Sequence, residues 1–186
     1  MSCFYKLNFP VEFLNKEIDL SEYSNSSRRI FTINTAKFVN SEVICLLESI
    51  GLTPSAHSYL FLRKPNESSV IHTDHFGSHI KRIWAINYTW GTTNSDMAWY
   101  KPLNLDQKKS VLVTTAGSDY THYQDDEVQE IERRVVSGLF LTRTDVPHAA
   151  TNYDLTNDRW SISVRILDVL CDWDRAIKIL DSFIEK

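Results

Sequence analysis

The sequence has little glycine, proline or cysteine: five, five and three residues in a chain of 186. No Gly-, Ser- or Pro-rich tract breaks it, so no flexible linker divides it, and one domain over residues 1–186 is expected. Cys3, Cys45 and Cys171 are odd in number and match no zinc spacing, which argues against a disulfide framework or a structural zinc site. The opening MSCFYKLNFPVEFLNKE lacks an apolar stretch of signal-peptide length, and no apolar run approaches a membrane span. A cytoplasmic protein with reduced thiols and no membrane partner is therefore expected. An excess of positive charge is also lacking: 20 basic residues face 24 acidic ones, for a net charge of -4. Arg133-Arg134 and Lys108-Lys109 are isolated pairs, so the clustered cations that phosphate backbones require are not in evidence, and a nucleic-acid partner is disfavoured.

Aromatic and β-branched residues are plentiful, and they fall in short runs. Residues 58–62 (SYLFL), 70–74 (VIHTD), 82–90 (RIWAINYTW), 97–102 (MAWYKP), 111–115 (VLVTT), 137–144 (SGLFLTRT) and 159–167 (RWSISVRIL) read as strands, with 64–69 (KPNESS) as a turn. Residues 40–52 (NSEVICLLESIGL) read as a helix capped by Asn40 or Ser41, with Val43, Leu46, Leu47 and Ile50 at helical spacing and Gly51 at its end. Residues 172–185 read as a closing helix with Trp173, Ile177, Leu180 and Ile184 on one stripe. The polar, acidic segment 118–134 reads as a surface excursion. Helical support over about 1–55, a strand-rich core over about 57–167 and a terminal helix make a mainly β, α+β protein, a sandwich or jelly roll backed by helices.

His72-Thr73-Asp74 carries the sharpest chemical signal. In a strand, residues i and i+2 share a face, so an imidazole and a carboxylate stand side by side. His148, in RTDVPHAATN, follows a strong strand and a proline-directed bend. A second imidazole meeting the first two groups would complete a two-histidine, one-carboxylate facial set, which leaves one face of a metal ion open. Eleven positions after His148 comes Arg159, opening a strand in which Arg159, Ser161, Ser163 and Arg165 alternate with Trp160, Ile162, Val164 and Ile166. The polar face is either solvated or turned inward around a dicarboxylate. Arg159 can grip a carboxylate bidentately, with the Ser161 hydroxyl adding a hydrogen bond.

The order and spacing of these residues, His72-Thr73-Asp74, then His148, then Arg159-Trp160-Ser161, resemble the Fe(II)/2-oxoglutarate-dependent dioxygenases. The resemblance covers roughly residues 57–167. The wording SVIHTDH, WAINYTW, MAWY and RTDVPHAATN looks like small prolyl- or asparaginyl-hydroxylase-like members from bacteria and phages. The resemblance implies a double-stranded β-helix (jelly roll, cupin-like), with Fe(II) on His72, Asp74 and His148. It also implies 2-oxoglutarate on Arg159 and Ser161, dioxygen as co-substrate, and release of succinate and carbon dioxide. A carboxylate at position 74 leaves no ligand position for a halide, which favours hydroxylation or a related desaturation over halogenation.

Within that expectation Asn87 points either into the barrel near the co-substrate or to a turn or surface partner. Arg165 rivals Arg159 as the anchor, or takes the other carboxylate. Tyr59 and Arg63, on the strand before His72-Thr73-Asp74, either touch a ligand or, the preferred reading, fill core and surface roles; Asn152 ties down the turn after His148, and Trp99 and Tyr100 fit core packing better than a substrate mouth. His57, His79 and His122 read as surface histidines, while His75 faces away from Asp74. Segments 91–96 and 118–134 are expected to shape the entrance. The expected substrate is a small molecule, an amino acid or a peptide side chain. Two rival classes are a catalytically inactive jelly-roll binding module and a cupin-like metalloenzyme that does not use 2-oxoglutarate. Intact ligands speak against the first, and the Arg159-Ser161 pair against the second.

Overall fold

Runs of alternating and branched residues dominate, and the computed structural model of the chain is accordingly mainly β. It describes residues 2–76, 80–81, 83–104, 111–114, 119–167 and 171–186. Among these, the strands form two antiparallel sheets of six and eight strands. The first contains β1 (Phe4–Lys6), β2 (Ile30–Asn34), β3 (His57–Arg63), β7 (Trp84–Trp90), β12 (Gly138–Arg143) and β14 (Arg159–Val164), in the order β1-β12-β7-β14-β3-β2. The second runs β11 (Val128–Val135), β8 (Ser95–Pro102), β13 (His148–Asn152), β5 (Ile71–Phe76), β10 (Asp119–Tyr123) and β9 (Val111–Val113). The two-residue strands β4 (Glu67–Ser68) and β6 (Ile80–Lys81) add to β13 and β5. From β12 to β14 the chain changes sheet at every strand.

The main hydrophobic core does not lie between the sheets. It lies on the outer face of the six-stranded sheet, under the helices. Leu60 and Leu62 of β3, Ile86 of β7, and Trp160, Ile162 and Val164 of β14 pack there. They meet Val43 and Leu47 of α3 (Ser41–Ser49) and Trp173, Ala176 and Leu180 of α4 (Trp173–Leu180). α1 (Ser21–Ser24) and α2 (Thr35–Phe38) complete the support layer. The period of two along β14 sends its apolar residues to this core and its polar residues to the inter-sheet space, so all six residues Arg159–Val164 are buried. Of the two readings of the polar face, the solvated one is set aside.

Helix ends follow the sequence chemistry. The Asn40 side chain accepts from the Glu42 N–H, and Asp172 accepts from the Arg175 N–H, each satisfying a donor the first turn leaves open. Gly51 sits just past α3 at φ 82°, a conformation other residues enter at a cost. The C-terminal helix is shorter than its stripe: α4 ends at Leu180, a 3-10 turn covers Asp181–Phe183, and Ile184 bridges to Leu7 instead.

Segment 118–134 is not a loop. Within its described part, β10 pairs along β5 and β11 pairs along β8 with a bulge between Glu130 and Glu132. β11 is an outer strand of its sheet, so exposed Glu130, Arg133 and Arg134 mark solvent contact and edge protection rather than a turn. The first third also holds two strands besides its helices: β1 and β2 are the short edges of the six-stranded sheet. Cys3, Cys45 and Cys171 are free thiols. Among the described residues no helix is long and apolar enough to cross a membrane.

Leu47, fully buried between α3 and the sheet, is a sensitive point of this support layer. Leu47→Ala is expected to cost about 2–5 kcal/mol in urea unfolding. Leu46→Ala, at a half-buried neighbour, should cost clearly less.

Candidate metal centre

His72 and Asp74 sit on one face of β5, and His148 opens the neighbouring β13 directly opposite His72. Pairing two strands therefore joins three residues that are far apart in sequence. The imidazole centroids are 4.4 Å apart, and one potential ligand atom from each of the three side chains lies within 4.8 Å of the others. Both rings are oriented by backbone carbonyls. His72 Nδ1 lies 2.9 Å from the Val70 oxygen and His148 Nδ1 lies 2.9 Å from the Val146 oxygen. A carbonyl can only accept, so each Nδ1 carries the proton and each Nε2 presents a lone pair. This arrangement is the usual support of metal-binding histidines.

The protonation states match. Burial pushes the His148 imidazole down to about 4, assisted by the proximity of His72, so it stays neutral near pH 7. Burial opposes ionisation of Asp74, yet His72 and the Arg165 guanidinium hold its carboxyl well below the usual range. Arg165 Nη1 stands 3.5 Å from Asp74 Oδ2. The cluster thus offers a neutral His148 imidazole, the Nε2 of His72 and one anion, a donor set that could hold a divalent ion with open positions.

The three side chains line a cavity of about 160 Å³ between the sheets. Across it the six-stranded sheet contributes Arg63, Asn87, Arg159, Ser161, Ser163 and Arg165. Arg159 is 2% exposed, its Nε has no hydrogen-bond partner, and its Nη2 reaches only the Thr89 hydroxyl at 3.4 Å. Burial, and then the charge of Arg63, push its pKa down to about 9. A buried guanidinium with no carboxylate paired to it among the described residues could hold an anion. Beside it Ser161 Oγ accepts the Thr89 hydroxyl at 3.0 Å, which leaves the Ser161 hydrogen to donate elsewhere. Asn87 is buried with its Oδ1 unpartnered, so it faces the cavity rather than a turn.

The two rival arginines divide. Arg165 stacks over Tyr59, 4.4 Å from the ring centroid, and leans on Asp74, whereas Arg159 has no contact with the metal cluster. Arg63 lines the cavity, and the alternation of Tyr59, Phe61 and Arg63 with Leu60 and Leu62 was the signal for it. Tyr120, on β10 opposite Asp74, was hidden in a segment read as a loop; it lines the cavity with its ring 6.2 Å from that of His72.

Several candidates lie elsewhere. Trp99 is fully buried, with Nε1 donating to the Arg143 oxygen at 3.1 Å. Tyr100 packs beside Ile71 and Val128. Asn152 Nδ2 donates to the oxygens of Arg63, Lys64 and Asn157, which ties down the turn after β13. His57 is exposed, and half-buried His122 stands beside His72 on β10 but outside the cluster. No residue of 91–96 lines the cavity, so that turn does not shape it directly. Gly91 matters differently: at φ 94° a Cβ there would stand 2.3 Å from the Asp158 oxygen. His79, Lys108-Lys109, Arg82, Thr115 and Ser118 lie outside the described residues, as does the side chain of His75.

Neither a scan of protein-family models nor a search of curated proteins finds a match to this chain.

If this cluster is a metal site, calorimetric titration with Mn(II) should show one ion per chain. His72→Ala, Asp74→Ala or His148→Ala should each weaken it by at least about tenfold, the lower bound for loss of a supporting group. His57→Ala should leave the isotherm unchanged.

Proposed function

We propose that the chain is a 2-oxoglutarate-dependent oxygenase that holds Fe(II) on His72, Asp74 and His148 and hydroxylates a small molecule, an amino acid or a peptide side chain. One observation carries this reading: an unneutralised, buried Arg159 faces the same cavity as a two-histidine, one-carboxylate cluster with inward-facing Nε2 atoms. A metal cluster alone is common to many functions. A metal cluster sharing one cavity with an anion site fits a ligand that is at once a chelator and a carboxylate. The alternation of β12, β13 and β14 between the sheets supports a double-stranded β-helix as the architecture behind it.

The residues fit the implied groups. His72 and His148 are oriented by backbone carbonyls, His148 stays neutral near pH 7 and Asp74 is kept ionised, so these two need not lose a proton for an ion to bind. Arg159 supplies a charge-assisted fork to a distal carboxylate and Ser161 adds a hydroxyl donor. Asn87 places an amide along the middle of the cavity, opposite Ser163 on the adjacent strand. Arg165 steadies Asp74 and fits the role of setting that carboxylate rather than of anchoring the co-substrate. When bound, the iron, the 2-oxo acid and dioxygen supply the oxidising chemistry, with succinate and carbon dioxide as by-products. The protein's own part is to align these partners and to exclude water; apolar Phe61, Met97 and Ala150 in the lining serve that exclusion. Asp74 fills a ligand position with a carboxylate, which fits hydroxylation rather than halide transfer.

Supplied with Fe(II), 2-oxoglutarate and air, the chain should release succinate above a metal-free control even without substrate. His148→Ala should abolish this. Arg159→Ala should weaken 2-oxoglutarate by about 10- to 100-fold, the effect of losing a charged hydrogen-bond partner. Background succinate in every variant would contradict the reading.

A further inference from the structure

Arg63 raises a question that the oxygenase reading does not answer. It is 9% exposed and lines the cavity, and its Nε has no hydrogen-bond partner. Nη1 donates only to the Leu62 oxygen, at 2.9 Å. It lies on β3 directly opposite Arg159 on β14, so the two side chains stand side by side on the cavity face. Like charges in that arrangement repel, and among the described residues no carboxylate forms an ion pair with either. Glu67 is the closest candidate for Arg63, but it is held by Arg29 Nε at 2.8 Å. Asp96 is the candidate for Arg159, but it is held by Arg133 Nη1 at 2.6 Å. Each neighbouring carboxylate already has its own arginine.

Two adjacent, buried, uncompensated guanidiniums raise the free energy of the empty protein, and a ligand anion between them removes that cost. We propose that Arg63 and Arg159 jointly bind the distal carboxylate of the 2-oxo dicarboxylate, with Arg63 as a second anchor that selects a diacid over a monoacid. This rests on the oxygenase reading. It adds that the anchor is a pair of guanidiniums from neighbouring strands, and that one of them lies outside the motif region that follows His148. The Ser161 hydroxyl stands on the same face of β14 and contributes a third donor.

The test is an anaerobic calorimetric titration of the full-length, Mn(II)-loaded chain with 2-oxoglutarate and with 2-oxobutyrate. The second compound keeps the chelating end and lacks the distal carboxylate. Wild type, Arg63→Gln and Arg159→Gln are compared, and each is also melted without ligand. The proposal predicts that Arg63→Gln weakens 2-oxoglutarate by about tenfold or more and leaves 2-oxobutyrate unchanged. It also predicts that the variant melts no lower than wild type when empty, because a repulsive charge has been removed. Undiminished 2-oxoglutarate affinity in Arg63→Gln, with loss in Arg159→Gln, would overturn the second anchor and leave the oxygenase reading standing. A sharply lowered melting point of empty Arg63→Gln would show a structural role and also overturn it. If the wild type retains Mn(II) but does not prefer 2-oxoglutarate to 2-oxobutyrate, the oxygenase reading fails together with the proposal.

Discussion

Charge buried without a counter-charge is the constraint on which this molecule is organised. Arg159 and Arg63 face an inter-sheet space where the carboxylates within reach are committed to Arg133 and Arg29. Across the same space stand the His72 imidazole, a neutral His148 and a carboxylate held ionised. Neither set is comfortable in an apolar interior, and each could take the opposite kind of partner: a cation for the cluster, an anion for the guanidiniums.

The fold tolerates this because its main core is elsewhere. β14, β7 and β3 turn Trp160, Ile162, Val164, Ile86, Leu60 and Leu62 outward to α3 and α4, and that layer carries the hydrophobic stabilisation. The inner faces are thereby released from packing and carry Arg159, Ser161, Asn87 and Arg63. The residues of the site stand on central strands whose register is fixed on both sides, which suits the positional accuracy that metal and carboxylate geometry require. Sites built this way lower the stability of the empty protein in return for binding.

Much of this was legible in the sequence because it follows from periods of two and of three to four. His72-Thr73-Asp74 placed two groups on one face of a strand, and the alternation from Arg159 to Ile166 announced a two-faced strand. Asn40 announced the start of α3. Other features depend on pairing, which has no local signature. That His148 would stand opposite His72 is a fact of register between β5 and β13. β11 was obscured because an outer strand carries charge in place of apolar alternation, and β10, a short polar strand between β5 and β9, gave no apolar run, so Tyr120 was hidden with it. Whether Arg63 was a surface residue or a cavity residue turned on which face of β3 met α3, something no single strand records.

The most direct test is a crystal structure of the chain grown anaerobically with Mn(II) and 2-oxoglutarate. The account predicts one ion bound by Nε2 of His72, Nε2 of His148 and the Asp74 carboxylate, with the far end of the diacid against Arg159. An ion held by other side chains, or a diacid bound outside the space between the two sheets, would contradict it.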